Sequence, residues 1–201
     1  MKNNFLINGN PSESLNPFDR GLSFGDGIFR TFLVKSGYPI NWDMHYKKLK
    51  ADARILKIQV PQKKYLLRDI KKLFNDDKAF IGKVIITRGI SDQGYQFSKN
   101  IKSTRIVLRI NYKEINRAFV LNGVKLKVCK TRTTYNELYV GAKHLNRIDN
   151  VIAKSELDPS VFDGIMLDKD GYINECVSSN IFARYGNVLV SPIQDNAGVS
   201  G

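Results

Sequence analysis

The spacing of apolar residues changes at Trp42, and that change constrains the fold more than any other feature of the chain. Before it, Ile28 to Val34 and Tyr38 to Trp42 are β-like runs joined by Lys35-Ser36-Gly37, a hairpin signal. From there on, Trp42, His45, Leu49, Ala53 and Leu56 recur every three or four residues, the period of an amphipathic helix. Pro61 opens a second helix, with Leu66, Ile70, Leu73 and Phe74 on its buried face and Lys63, Lys64, Lys71 and Lys72 outside. Strand-like runs return at Gly82 to Thr87 and Thr104 to Ile110, and Asn4 to Ile7 reads as a short first strand. The closely spaced glycines of Gly21-Leu22-Ser23-Phe24-Gly25-Asp26-Gly27 mark a tight turn, a close backbone approach or an ordinary loop.

Polar residues from Asn111 to Arg117 place a domain boundary, giving a small α+β domain over 1–113 and the start of a larger one over 114–201. The second begins with a strand at Val124 to Cys129. A helix from about Leu145 to Leu157 follows, with Leu145, Ile148 and Ile152 on one face. Next comes a hairpin, Gly164 to Leu167 and Tyr172 to Val177, turned by Asp168-Lys169-Asp170-Gly171. Short strands at Asn180 to Ala183 and Val188 to Val190 complete an α+β pattern that lacks the strand–helix alternation of a doubly wound sheet.

The 201 residues, 42% apolar, suffice for one core or two modest domains. No apolar run approaches the ~18–20 residues of a membrane span, and Met1-Lys2-Asn3-Asn4 lacks a signal-peptide core, so a cytoplasmic location without membrane association is expected. Cys129 and Cys176 make neither a disulfide framework nor a zinc knuckle, and no metal is expected. The net charge, 32 − 19 = +13, favours anionic partners. The lysines of the second helix read as its solvated face and no interleaved aromatics accompany them. A small anionic substrate is therefore expected rather than nucleic acid.

Three places look chemical. Alternation puts Glu175 on one strand face with Ile173 and Val177, where a carboxylate is costly to bury without a partner. It suits either a structural ion pair or a carboxylate that holds a protonated ring nitrogen. Lys143 stands just before a predicted helix, whose positive end lowers an amine's pKa, as a nucleophilic lysine requires; a solvated surface lysine is the plainer alternative. Asn196-Ala197-Gly198-Val199-Ser200-Gly201 is a small-residue turn of the kind that exposes amides to an anion.

In this order these pieces resemble the fold-type IV pyridoxal-phosphate enzymes, which include branched-chain and D-amino-acid aminotransferases and 4-amino-4-deoxychorismate lyase. The resemblance runs from Ile7-Asn8-Gly9 to Gly198-Val199-Ser200-Gly201. It is carried by Asp19-Arg20-Gly21, Phe24-Gly25-Asp26-Gly27, Lys143-His144-Leu145-Asn146-Arg147, Asn174-Glu175 and Ser179-Asn180-Ile181-Phe182. Arg147, Thr31 at the end of Gly27-Ile28-Phe29-Arg30-Thr31, and Thr104-Arg105-Ile106 resemble the lyase branch, which forms 4-aminobenzoate for folate synthesis and releases pyruvate. An aminotransferase, or a non-catalytic relative of the same fold, is the alternative.

The resemblance implies a two-domain α+β fold and pyridoxal 5'-phosphate as cofactor, carried by Lys143. Glu175 would bind the pyridine nitrogen, Arg147 would sit near the phenolic oxygen, and Val199 and Ser200 would bind the phosphate. Lys48 stands where the family normally places a phosphate-binding arginine, and supplies a point charge in place of a fork. Arg105 would receive a substrate carboxylate, Phe29 would line the substrate site, and Thr31 would offer its hydroxyl near the reacting carbons. Family members usually continue past the Gly-Val-Ser-Gly segment, so the second domain is expected to be incomplete and a homodimer is favoured.

Overall fold

The computed structural model describes residues 4–11, 14–193 and 197–199. The chain divides into two compact units: residues 1–113 with 143–146, and residues 114–142 with 147–201.

The first unit is built on a five-stranded antiparallel sheet of order β1-β5-β4-β2-β3: β1 (Phe5–Ile7), β2 (Gly27–Lys35), β3 (Tyr38–Pro39), β4 (Phe80–Thr87) and β5 (Thr104–Asn111). The β2–β3 turn uses left-handed Ser36 and Gly37, as a two-residue hairpin loop requires. Alternation along β2 sends Ile28, Phe32 and Val34 into the core, where Val84 and Ile86 of β4 and Val107 of β5 join them. Helices α2 (Trp42–Ile55) and α3 (Lys63–Leu73) close this core with Leu49 and Ala53, and with Leu66, Ile70, Leu73 and the following Phe74. Each such fully buried aliphatic side chain contributes about 1.5–3 kcal/mol, so the period change at Trp42 translates directly into a sheet covered on one face.

The Gly21–Gly27 segment is a helix followed by a turn, where a loop was expected. In α1 (Arg20–Phe24), Asp19 accepts the Gly21 N–H at 2.9 Å, and Gly25 ends the helix in the left-handed conformation, φ 64°. Trp42 begins α2 instead of ending a strand, which shortens β3 to two residues.

The second unit holds α4 (Arg117–Asn122) and α5 (Ile148–Ser155). Its three-stranded sheet is β6 (Leu126–Val128), parallel to β7 (Asp163–Leu167), with β8 (Ile173–Cys176) antiparallel on the far side of β7. A two-stranded ribbon pairs β9 (Ala183–Tyr185) with β10 (Val188–Val190). Cys129, Ala153, Met166 and Val177 form its small core, and both cysteines are free and buried.

Three expectations change in this unit. Helix α5 begins at Ile148, and its buried residue is Ala153, while Ile148 and Ile152 are exposed. The ribbon's first strand starts at Ala183, three residues later than its sequence suggests. A register shift between Met166 and Leu167 makes Asn174 an extra residue in β8, which sets Glu175 opposite buried Met166 and takes it off the face of Ile173. Among the described residues no helix is long and apolar enough to cross a membrane.

Candidate active site

In the first unit, β2 turns Phe29, Thr31 and Leu33 away from α2 and α3. Lys83 of β4 is the cross-strand partner of Thr31, and the alternation of its strand turns it the same way. Its Nζ lies 4.6 Å from the Phe29 ring centroid, and Lys143 Nζ lies 5.0 Å from the same centroid. Phe29, Thr31, Lys83 and Lys143 therefore form one group, two amines against an aromatic ring with a hydroxyl two residues along the strand. Burial pushes the Lys83 ammonium below its ordinary value, because desolvation disfavours the charged form.

Lys143 reaches this group by an unexpected route. Residues 143–146 run beside the start of β2 and form a single antiparallel bridge with it: the Phe29 N–H donates to the Lys143 carbonyl at 2.9 Å and the Leu145 N–H donates to the Gly27 carbonyl at 2.9 Å. Asn146 Nδ2 donates to the Gly25 carbonyl at 3.2 Å. Backbone favours glycine at both positions: Gly25 has φ 64°, and a Cβ on Gly27 would lie 2.9 Å from the Ile86 carbonyl oxygen. Lys143 is thus extended backbone, four residues before the Arg147 N-cap of α5, so the helix dipole does not explain its chemistry.

Between the two glycines, Asp26 is gripped by two arginines. Its carboxylate accepts from Arg20 Nε at 2.9 Å, Arg88 Nε at 2.7 Å and Arg88 Nη2 at 3.0 Å, and its carbonyl accepts the Arg88 N–H at 3.0 Å. Arg88 continues to the Lys57 and Leu56 carbonyls after α2, and its guanidinium lies 3.9 Å from the Phe97 ring centroid. Sequence inspection missed Lys83 and this grip. The available signal for Lys83 was a lone cation inside the apolar run Phe80 to Thr87.

Arg105, expected on a substrate carboxylate, faces the helices. It pairs in β5 with Ile86, so it sits on the helix-covered side of the sheet, opposite Thr31 and Phe29, and its Nε meets the buried Asp69 carboxylate of α3 at 2.6 Å. Its guanidinium is committed to the fold. Lys48 lies on α2 in an ion pair with buried Asp52 one turn on.

In the second unit, Glu175 is 5% exposed, and its Oε2 accepts the Val199 N–H at 2.8 Å. The segment around Val199 is held by its neighbours: Asn174 Nδ2 donates to the Ala197 carbonyl, Asn180 Nδ2 to the Val199 carbonyl and the Gly141 N–H to the Gly198 carbonyl. Buried Asp163 fixes the turn after β8 by accepting from the Ser178 and Ser179 hydroxyls at 2.9 and 3.0 Å. The Val199 amide, expected on a phosphate, donates to Glu175, and Ser200 lies outside the described residues. Arg147 donates from Nη2 to the Ala142 carbonyl at 3.4 Å.

The lysine, glutamate and glycine segments occur in an order shared with known enzymes, and the sequence profile described as Amino-transferase class IV matches residues 27–201. The chain belongs to the class IV aminotransferase family. It is 30% identical over 199 residues to aminodeoxychorismate lyase of Vibrio harveyi, an alignment covering 98% of this chain and 73% of the relative. It is 31% identical over 194 residues to aminodeoxychorismate lyase of Bacillus subtilis strain 168, covering 93% and 65%. The crystal structure of 4-amino-4-deoxychorismate lyase from Pseudomonas aeruginosa superposes with a TM-score of 0.88 at 32% identity, covering 98% of this chain and 73% of that one. The fold is therefore fold-type IV, and the chain spans 65% to 73% of the length of these relatives. Membership in the class IV family also explains the landmark segments. Asp19-Arg20-Gly21 and Phe24-Gly25-Asp26-Gly27 build and cap α1, grip Asp26 and receive residues 143–146.

Proposed function

We propose that this class IV protein is a pyridoxal-phosphate-dependent lyase that converts 4-amino-4-deoxychorismate into 4-aminobenzoate and pyruvate. One observation carries the reading beyond its relatives: Lys143 Nζ shares the Phe29 ring with Lys83, and Thr31 lies exposed two residues along the same strand face. An amine, a second cation and a hydroxyl suit an anionic, amine-bearing substrate.

The described residues fit the cofactor. Lys143 offers an amine for its aldehyde. Glu175, buried and held by an N–H at one oxygen, is the carboxylate that a pyridinium nitrogen needs. Lys48 and Arg147 would be the cations for the phosphate and the phenolic oxygen, as the resemblance implies. Bound pyridoxal phosphate supplies a protonated ring that accepts the electron pair left when the substrate's C–H bond breaks. Lys143 would take that proton at Nζ. Lys83 takes over the part expected of Arg105 and meets a substrate carboxylate, while Thr31 hydrogen-bonds near the reacting carbons. The homodimer and the cytoplasmic location expected from the sequence belong to the same proposal.

The test is product analysis. Incubation of the chain with pyridoxal phosphate and aminodeoxychorismate should release equal amounts of pyruvate and 4-aminobenzoate, and Lys143→Ala should abolish both. Keto-acid-dependent consumption of a D- or branched-chain amino acid, with no 4-aminobenzoate formed, would make the protein a transaminase.

A further inference from the structure

Two lysines, Lys83 and Lys143, stand over one aromatic ring at nearly equal distance, and only one is expected to carry the cofactor. Burial lowers the Lys83 pKa below its ordinary value, so amine chemistry alone gives no reason to pass Lys83 over. Backbone placement separates them. Lys83 is anchored in the middle of β4, with its Cα across from Thr31. Lys143 is anchored by the Phe29 N–H, the Gly27 carbonyl and the Asn146 side chain on the Gly25 carbonyl, all within two or three residues of Asp26. That stretch has little intrinsic stiffness, since it contains two glycines. Its rigidity comes from the donors of Arg20 and Arg88 that converge on Asp26, whose side chain is 16% exposed against 4% and 8% for the arginines.

We propose that Asp26, gripped by Arg20 and Arg88, is a positioning residue that makes Lys143 and not Lys83 the amine that reacts with the aldehyde of the cofactor. This rests on the cofactor reading above. The step is an ordinary condensation: the neutral Nζ joins the aldehyde carbon and one water leaves. Asp26 touches neither partner. It fixes the strand that fixes the lysine, which is how sub-ångström placement of a reactive group is secured from its surroundings.

The experiment is site mapping on the full chain. Protein is mixed with pyridoxal phosphate, reduced with borohydride to make the link permanent, digested, and the pyridoxyl label quantified at each lysine. The wild type should carry it at Lys143. Asp26→Asn, which keeps the shape and removes the charge, should move a large share to Lys83, raising the Lys83-to-Lys143 ratio at least tenfold. It should also shift the pH midpoint of the visible band. Asn146→Ala removes an exposed latch without entering the core; it should produce the same redistribution, several-fold in size, with an unchanged unfolding midpoint. This second variant decides the matter if Asp26→Asn does not fold. Label confined to Lys143 with an unmoved pH midpoint in the variants that fold would overturn the proposal and leave Asp26 a purely structural residue. A wild type that gives no visible band, or spreads label over surface lysines, would sink the cofactor reading itself, and the proposal with it.

Discussion

Arg105→Met should damage stability and spare catalysis. Arg105 Nε meets Asp69 at 2.6 Å, and Asp69 is 1% exposed, so removing the guanidinium leaves a buried carboxylate without its close partner. Such a loss costs about 3–5 kcal/mol. A weak second partner reduces this: Arg68 Nε is 3.8 Å from the other oxygen, but its side chain is 65% exposed and contributes little. The net expectation is about 2–4 kcal/mol. In urea this appears as a lower midpoint at unchanged slope in the transition of the first unit. On heating it corresponds to a drop of very roughly 5–15 °C. Asp69→Leu added to Arg105→Met should recover most of the loss, because an apolar pair of similar volume is close to neutral in such a place. Turnover measured well below the transition should keep its KM within about twofold. The outcome that refutes this reasoning is an undiminished urea midpoint with KM raised on the order of tenfold or more, the signature of a lost carboxylate–guanidinium contact to substrate.

Three further outcomes are expected. His45, half-buried beside Phe32 and near the positive Arg30, has its pKa pushed below the usual 6.5 by burial first and Arg30 second. The unfolded chain therefore binds this proton more readily, and the first unit should lose stability as pH falls below about 6.5; His45→Phe should flatten that part of a stability–pH curve. Glu156, whose carboxylate accepts from the Thr131 hydroxyl and the Lys130 and Thr131 amides, is held down to about 2. Its stabilisation is complete above the ordinary 4.5 and is lost as pH falls toward 2, so Glu156→Gln should make acid unfolding of the second unit less steep. Gly37→Ala should destabilise the β2–β3 hairpin by roughly 1–2 kcal/mol from the left-handed backbone alone. Its φ is 77°, and the new Cβ would also meet the Phe74 carbonyl at 2.8 Å, so calorimetry should show at least that loss.

The helices over the first sheet were legible because each buries one continuous stripe, Leu49 and Ala53 in α2 and Leu66, Ile70 and Leu73 in α3. Where burial is decided by neighbours, periodicity misled. Ile148 and Ile152 make an apolar stripe on α5 that is exposed, while Ala153, a weak signal, is fully buried. Helix α1, five residues long, is too short to announce itself and exists through the Asp19 cap and left-handed Gly25. Four residues, 143–146, cannot display a strand period, and one extra residue at Asn174 reversed the face expected of Glu175. For the candidate site, motif order singled out Lys143, Phe29, Thr31 and Glu175. It did not single out Lys83, since one lysine in a strand has no period and only the register sets it beside Thr31.

The bridge at 143–146 has a consequence for synthesis on the ribosome. Residues 1–113 hold everything the first sheet needs for its core, but the edge of β2 near Phe29 gains its neighbour only when Lys143 emerges, thirty residues later. At ordinary elongation rates that interval is roughly 2–6 s, far longer than a hairpin takes to form. During it a nascent chain would display an unpaired strand edge next to an aromatic ring, open to a neighbouring polysome chain. Lys143 thus closes the vulnerable edge with the same backbone that delivers its amine, so a deletion across 143–146 should bring aggregation during expression together with the loss of chemistry.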